Sequence, residues 1–248
     1  MATLLAEERR ARLRDILARD GALRLDLVAE ELGVSAMTVR RDLDDLEAEG
    51  FARRVRGGAV APVLPRPFRD RMAIRYASKA LIARKALDLV PLDGAVAFDA
   101  STTSGVLLEA VSARDLLVAT NSIQNAATAR RRGGVRSILI GGELDERTDS
   151  FVGTVACRSA AALAYTYFFT SAAAITPTGS WEVSLEEAHV KEVLASRAEQ
   201  TIVLLDSSKL GRSALAHGLD WSRIDVLVTD LEPQDERLAP YRELTDVR

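Results

Sequence analysis

Over the first sixty residues the apolar positions repeat at helical spacing. Leu13, Ile16 and Leu17 fall on one side of a stretch at 6–19, which Asp20-Gly21 brings to an end. A second, shorter period at 25–32 puts Leu25, Val28, Ala29 and Leu32 inward. Gly33-Val34-Ser35 then reads as a turn, with Ser35 placed to accept an orphan backbone N–H of the next helix. That helix is predicted over 36–49. Val39, Leu43 and Leu46 form its inward stripe, and Gly50 stops it. Residues 51–55 and 59–61 flank Arg56-Gly57-Gly58, the pattern of a small hairpin with a glycine turn.

The pattern then changes. Pro62, Pro65 and Pro67 interrupt it and predict a linker over 62–77. After a helix at about 78–90, short apolar runs at 96–98, 116–119, 137–140, 201–205 and 226–228 alternate with helical stretches near 103–111, 122–132, 154–164 and 185–197. Strands of this kind separated by helices imply an α/β domain built on a mainly parallel, doubly wound sheet. The expected organisation is three helices and a hairpin at 1–61, a linker at 62–77 and the α/β domain at 78–248.

Composition adds limits. The chain is 48% hydrophobic and 28% charged, enough for a real core and too balanced for disorder. No apolar run approaches the roughly 18 residues of a membrane helix, and the N-terminus turns charged too early for a signal peptide. The expectation is a cytoplasmic protein with no membrane partner. Cys157 is the single cysteine and His189 and His217 the only histidines, so no metal site and no cofactor is expected. His189, two positions before Lys191, should face away from it as a surface or packing residue.

Net charge is −3, and residues 1–61 carry eleven arginines and no lysine against twelve carboxylates. Any nucleic-acid contact must therefore come from where the arginines stand. Three helices followed by a hairpin form a winged helix-turn-helix, in which the helix after the turn enters the DNA major groove. With Val39, Leu43 and Leu46 inward, Met37 and Arg41 occupy the centre of the opposite face, flanked by Thr38 and Arg40. Arginine can donate two hydrogen bonds to guanine, and Ser35 and Thr38 can bond phosphate or base. Arg53, Arg54 and Arg56 of the hairpin would reach the DNA backbone or minor groove. Asp44, Asp45, Glu47 and Glu49 should point away from the phosphates.

The run Leu27-Val28-Ala29-Glu30-Glu31-Leu32-Gly33-Val34-Ser35, then Thr38-Val39-Arg40-Arg41-Asp42-Leu43 and Arg54-Val55-Arg56-Gly57-Gly58-Ala59, resembles the signature of the DeoR family of bacterial sugar-metabolism regulators. The resemblance continues into the second domain. Asp99-Ala100-Ser101-Thr102-Thr103 opens a helix after a strand, offering backbone N–H groups and hydroxyls to an anion. Asn121 closes the next strand, and Gly141-Gly142 another. Lys191 lies on a helix that Ser184 and Glu187 begin, and Lys209 follows the 201–205 strand. Ligands of such sheets lie beyond the C-terminal strand ends, so these loops can converge on one site.

The resemblance implies a sensor domain similar to ribose-5-phosphate isomerase that binds a phosphorylated sugar through Asp99, Ser101, Thr102, Thr103, Asn121, Gly141, Gly142, Lys191 and Lys209. It also implies a repressor that binds double-stranded operator DNA as a homo-oligomer, a dimer or tetramer. Two departures stand out. Ser101 replaces the family's usual glycine, at an expected cost in backbone freedom. The stretch 165–175 lacks the usual acidic residue and has Ala174 where glycine is common. Two other functions fit parts of the sequence: a sugar-phosphate isomerase fused to a DNA-binding module, and a metabolite-binding protein whose helix-turn-helix binds protein. No second acid/base motif supports the first reading, so catalytic residues are not expected. The arginines of the recognition helix argue against the second.

Overall fold

The computed structural model describes residues 6–49, 51–60 and 67–248. It divides into two compact units, residues 1–64 and 65–248.

The N-terminal unit follows the helical periods closely. Helix α1 spans Ala6–Asp20, strand β1 Ala22–Arg24, α2 Leu25–Leu32, α3 Ala36–Ala48, β2 Arg53–Val55 and β3 Gly58–Val60. Leu13, Leu17, Val39, Leu43 and Leu46 are fully buried in one core with Val28, Ala29 and Ala59. Leu25 and Leu32 only flank that core. Ser35 caps α3 as expected, accepting the Thr38 N–H at 3.1 Å. The hairpin is wider than its sequence pattern indicated. β3 lies between β2 and β1, paired antiparallel with both. Gly58 is what permits this: a Cβ there would lie 2.0 Å from the Leu23 carbonyl oxygen.

The C-terminal unit begins with two helices, α4 (Phe68–Ala73) and α5 (Tyr76–Ala86). Residues 62–66 of the expected linker lie outside the described residues. Residues 67–77 correct that expectation, because they are largely helical and packed. Phe68 is buried, and Arg71 donates to carbonyl oxygens of residues 100 and 148. The prolines that suggested a linker precede α4, where Pro67 is its cap residue.

There follow β4 (Asp93–Phe98), α6 (Thr102–Ala110), β5 (Asp115–Thr120), α7 (Ile123–Arg130), β6 (Val135–Leu139), β7 (Glu143–Asp145), β8 (Ser150–Val152), α8 (Gly153–Ala161) and β9 (Tyr165–Thr170). The chain ends with β10 (Ala174–Thr176), β11 (Gly179–Glu182), α9 (Leu185–Ser196), β12 (Ala198–Leu205), β13 (Ala216–His217), β14 (Val226–Thr229) and β15 (Asp246–Val247). Seven strands form one sheet in the order β15-β14-β12-β9-β4-β5-β6, and every pair in it is parallel.

Strand alternation splits the core between the two faces. Val96, Phe98, Phe169, Ile202 and Leu204 pack with α5 and α6 residues on one face. Ala97, Phe168, Val203 and Leu205 pack with α8 and α9 residues on the other. From β4 the chain moves outward to β5 and β6, then returns to place β9 on the opposite side of β4. The β4/β9 boundary is thus the topological switch point, beside which loops diverge and leave a crevice.

Candidate functional site

Two candidate sites lie one in each unit. In the first, α3 buries Val39, Leu43 and Leu46 and leaves Ser35, Met37, Arg40 and Arg41 exposed, with Thr38 partly covered beside Ser35. No ion pair among the described residues involves the guanidinium of Arg40 or Arg41. The acidic half of the helix is engaged elsewhere. Asp45 accepts from Arg10 of α1 at 3.0 Å, and Glu49 from Arg14 at 2.6 Å. Glu47 accepts the Arg54 backbone N–H at 2.6 Å, and Asp44 the Arg54 guanidinium at 2.6 Å. Asp44, Asp45 and Glu49, which would repel DNA, are thereby neutralised against α1 and the wing, and Arg40 and Arg41 are left without an ion pair among the described residues.

Arg54 therefore braces the wing against α3, also donating to the Arg40 carbonyl. Arg56 is exposed at the hairpin turn, and the side chain of Arg53 lies outside the described residues. Sequence reasoning missed a buried ion pair in this unit. Arg9 donates twice to Asp42, tying α1 to α3 from inside.

The second site lies beyond the C-terminal ends of β4, β9 and β12. Asp99 follows β4 and is almost wholly buried. It accepts from Ser101 N at 3.0 Å, Ser104 Oγ at 2.7 Å, Thr170 Oγ1 at 2.8 Å and Ser171 N at 2.9 Å. Lys191 Nζ stands 3.2 Å away. Burial pushes against ionisation, but Lys191 and these hydrogen bonds outweigh it and hold Asp99 below the usual carboxylate range. A carboxylate so fully occupied is a poor proton acceptor for isomerisation.

Ser101 caps α6 with φ −78°, accepting the Ser104 N–H, so replacing glycine costs no backbone strain there. Its hydroxyl is turned back to Ser104 Oγ, 2.8 Å away. Thr102 and Thr103 are buried in the first turn of α6. Asn121 is buried after β5; its Nδ2 donates to the Phe151 carbonyl, and its Oδ1 has no hydrogen-bond partner among the described residues. Gly141 has open space where a Cβ would stand, whereas at Gly142 one would come within 2.7 Å of the Val152 carbonyl oxygen. Gly142 therefore serves the close approach of α8.

Lys191 is buried with Nζ bonded to Glu182 Oε1 at 2.8 Å and to the Ser171 carbonyl at 2.8 Å. Burial opposes its charge, but Glu182 and Asp99 raise its pKa above the ordinary value. Glu182 is itself pushed up to about 7, because burial outweighs its pairing with Lys191. Lys209 reaches the Ala172 carbonyl at 2.6 Å and Ser171 Oγ at 3.4 Å. Ser171 thus draws Lys191 and Lys209 to one place.

Residues absent from the sequence reading complete this end of the sheet. Arg71 comes from α4, Arg75 from the junction before α5, Lys79 from α5 and Glu182 from β11; Asp206, after β12, is a carboxylate that its place beside Lys209 in the sequence already marks. Arg75 holds Asp206 at 2.8 Å and Asp230 at 3.3 Å. Its backbone is left-handed at φ 53°, an uncommon conformation for a side-chain-bearing residue. Lys79 donates to the Arg71 carbonyl. His189 is exposed, two positions from Lys191.

A helix-turn-helix with an uncompensated cationic face, joined in one chain to an α/β unit with a buried polar site at its switch point, defines a ligand-sensing DNA-binding regulator. The family model described as the DeoR-like helix-turn-helix domain matches residues 9–63, and that of the DeoR C-terminal sensor domain matches residues 74–231. The chain belongs to the DeoR family; it is a DNA-binding transcriptional regulator and not an enzyme.

It is similar to the lactose phosphotransferase system repressor of Streptococcus mutans, 28% identical over 96% of this chain and 98% of that one. It is likewise similar to the putative aga operon transcriptional repressor of Escherichia coli O157:H7, 30% identical over 90% of this chain and 86% of that one. Among solved structures, the eIF2B-beta2-delta2 complex from C. thermophilum shares the fold, with TM-score 0.51 and 14% identity over 96% of this chain and 88% of that one. A ribose-5-phosphate isomerase in complex with phospho-erythronic acid matches 53% of this chain and 52% of its own at TM-score 0.38 and 14% identity. No helix among the described residues is long and apolar enough to cross a membrane.

Proposed function

We propose that this protein is a repressor of carbohydrate-metabolism genes that leaves its operator when a phosphorylated sugar, or a related phosphorylated metabolite, enters the switch-point site. The observation that carries the reading is the convergence on Ser171 of Lys191, Lys209 and, through its N–H, Asp99. These groups stand beside the hydroxyl-bearing first turn of α6. Cations and helix N–H groups suit a phosphate; Asp99 and Asn121 suit sugar hydroxyls. The names of the relatives, a lactose phosphotransferase system repressor and a putative aga operon transcriptional repressor, support the same class. In this reading the α3 face of Ser35, Met37, Thr38, Arg40 and Arg41 reads the major groove, with Arg53, Arg54 and Arg56 at the wing. Two copies bind paired half-sites, so the working form is at least a dimer, and it acts in the cytoplasm, where its operator is.

A ligand releases DNA only if it binds the low-affinity state better, and a tenfold release needs about 1.4 kcal/mol of coupling. The test is a gel-shift titration of the full chain on DNA upstream of its own gene, with phosphorylated sugars and their unphosphorylated parents. One phosphorylated sugar should weaken binding at least tenfold and its parent should not. Thr102→Ala should keep operator binding and lose the response. An equal response to the parent sugar defeats the reading.

A further inference from the structure

α4 is the first element of the C-terminal unit, and residues 61–67 separate it in the chain from β3 of the DNA-binding unit. Three of those residues, Pro62, Pro65 and Pro67, are proline, a composition that stiffens a connection. α4 is docked on the loops of the switch-point site. Phe68 is buried, and its ring and the end of Met72 meet α6 at Gly105: a Cβ there would lie 3.3 Å from Phe68 Cζ and 3.4 Å from Met72 Cε. The Arg71 guanidinium lies over the Phe68 ring, 5.5 Å from its centroid. Both of its terminal nitrogens donate to the Ala100 carbonyl at 3.3 Å, and one also to the Thr148 carbonyl at 2.9 Å. Arg71 thus joins α4 to the loop after β4 and to the β7–β8 hairpin at once.

The Ala100 carbonyl shares a peptide unit with the Ser101 N–H. A peptide unit is planar and turns as one piece. Asp99 Oδ1 holds its N–H end at 3.0 Å, and Arg71 holds its C=O end. The carbonyls on either side, of Asp99 and Ser101, are held from α7 by Asn125 Nδ2 at 2.7 and 3.2 Å. The middle unit is therefore the one whose rotation is felt in α4. Asp99 has no acceptor position to spare. Two carboxylate oxygens offer about four lone-pair sites. Ser101 N, Ser104 Oγ, Thr170 Oγ1 and Ser171 N occupy them, with Lys191 Nζ beside at 3.2 Å. To accept a hydroxyl of a bound molecule, Asp99 must release one of these donors. Ser101 N–H makes the longest of the four bonds and stands at the N-terminus of α6, where N–H groups suit an anion.

We propose that Arg71 is the positioning residue that carries occupancy of the switch-point site to the DNA-binding unit. In the empty protein it clamps α4 to residues 100 and 148, the arrangement that binds operator. The effector draws Asp99 and the Ser101 N–H to itself, the 100–101 peptide turns, its carbonyl leaves Arg71, and α4 is released. Arg71 does not touch the effector. The assignment rests on the reading of the sensor unit as a phosphorylated-metabolite site, and it adds the route by which that site acts.

The test measures operator affinity and sugar-phosphate affinity separately, on the full chain. Operator binding is followed by fluorescence anisotropy in buffer free of sugar, then with a panel of hexose and pentose monophosphates. Calorimetry follows sugar-phosphate binding to the protein without DNA. Arg71→Met should mimic the released state. It should bind operator at least tenfold more weakly than wild type, and the sugar phosphate that releases wild type should weaken it less than twofold further. It should bind that sugar phosphate as tightly as wild type or tighter, since coupling is reciprocal. Arg71→Lys keeps the charge but lacks the fork that spans both carbonyls, so it should fall between the two. It carries the same decision if Arg71→Met does not fold. Wild-type operator affinity and wild-type release in both variants overturn the assignment. So does loss of sugar-phosphate binding, which would make Arg71 an effector contact or a support of the fold. If no sugar phosphate releases wild type, the underlying reading fails. If one does, and both variants are released as wild type is, this assignment alone fails.

Discussion

The two units handle charge in opposite ways. In the N-terminal unit most ion pairs lie at the surface: Arg10 with Asp45, Arg14 with Glu49 and Arg54 with Asp44. Such pairs contribute little to stability, about 0–1 kcal/mol each. Their effect is on the pattern of the field. They use up the acids of α3 and leave Arg40 and Arg41 exposed, so a unit of slightly negative net charge still offers one cationic face. The C-terminal unit has surface pairs as well, such as Arg136 with Asp115, but it also carries a set of charges inside. Asp99, Glu182, Lys191 and Asp206 are all buried, so their pairing decides whether the fold is tolerable and what ligand it accepts. A surface site is made by choosing which cations remain unpaired; an interior site is made by choosing which buried charges are only partly compensated.

The sharpest way to break this comparison is to remove one cation from each kind of pair. Lys191→Met strands Asp99 and Glu182 in the interior, and losing one partner of a buried pair costs about 3–5 kcal/mol. Arg14→Met removes a surface pair and should cost less than about 1 kcal/mol. Trp181 and Trp221 are the only tryptophans, and both lie in the C-terminal unit, so urea unfolding followed by tryptophan fluorescence reports on that unit. Lys191→Met should shift the fluorescence midpoint strongly, and adding Glu182→Gln should restore part of the loss. A Lys191→Met protein as stable as wild type would show that the interior pairing is dispensable. For the same reason, Lys191→Met is not a clean test of effector binding when used alone.

Arg9 with Asp42 is the exception in the first unit, with both side chains less than a tenth exposed. Arg9→Met should therefore behave like an interior change and cost about 3 kcal/mol, loosening α1 from α3. Operator binding should fall sharply while the tryptophan-detected transition stays where it is. If that transition moves equally, the units do not unfold separately.

Much of the fold was legible in the sequence, for reasons visible in particular residues. α3 has a capping serine, an apolar stripe at i, i+4 and i+7, and a glycine beyond its end, so its bounds and its outward face followed. β12 and β14 are plain apolar runs. β9 was missed although it is central. Tyr165-Thr166-Tyr167-Phe168-Phe169-Thr170 packs on both faces and so shows no alternation, and its polar ends hide its length. The site was half legible. Asp99, Ser101, Asn121 and Lys209 stand at caps or just beyond strand ends that sequence marks, and Lys191 on a helix whose cap, Ser184, sequence marks. Arg71 and Arg75 stand where prolines suggested a linker, and Lys79 at the start of the helix expected from about 78; only tertiary packing half-buries the first two and buries the third. Glu182 sits on a four-residue strand with no period to reveal it. Burial of a charge depends on its partners, and some partners here are distant in sequence, as Arg75 and Asp206 show.

On the DNA side, Arg41→Ala should cost about 1–3 kcal/mol of operator affinity and relax preference at one base position, as loss of a bidentate guanine contact does. Competition binding with single-base operator variants measures it. A uniform loss across all variants would instead make Arg41 a phosphate contact.

The smallest effect should be the most specific. Arg54 is held by Asp44 at 2.6 Å, so it gives DNA less of its charge than an unpaired arginine would. Asp44→Ala releases it and removes one negative charge close to the groove. Stability should fall by less than about 1 kcal/mol, since the pair is surface-exposed. Operator binding should tighten, and the slope of log affinity against log salt should steepen by about one counterion as Arg54 takes up a phosphate. Asp45→Ala is the control. It frees Arg10 of α1 instead, and should change the slope less. If Asp44→Ala and Asp45→Ala alter the slope equally, the gain is bulk charge alone, and the wing does not place Arg54 against the DNA backbone.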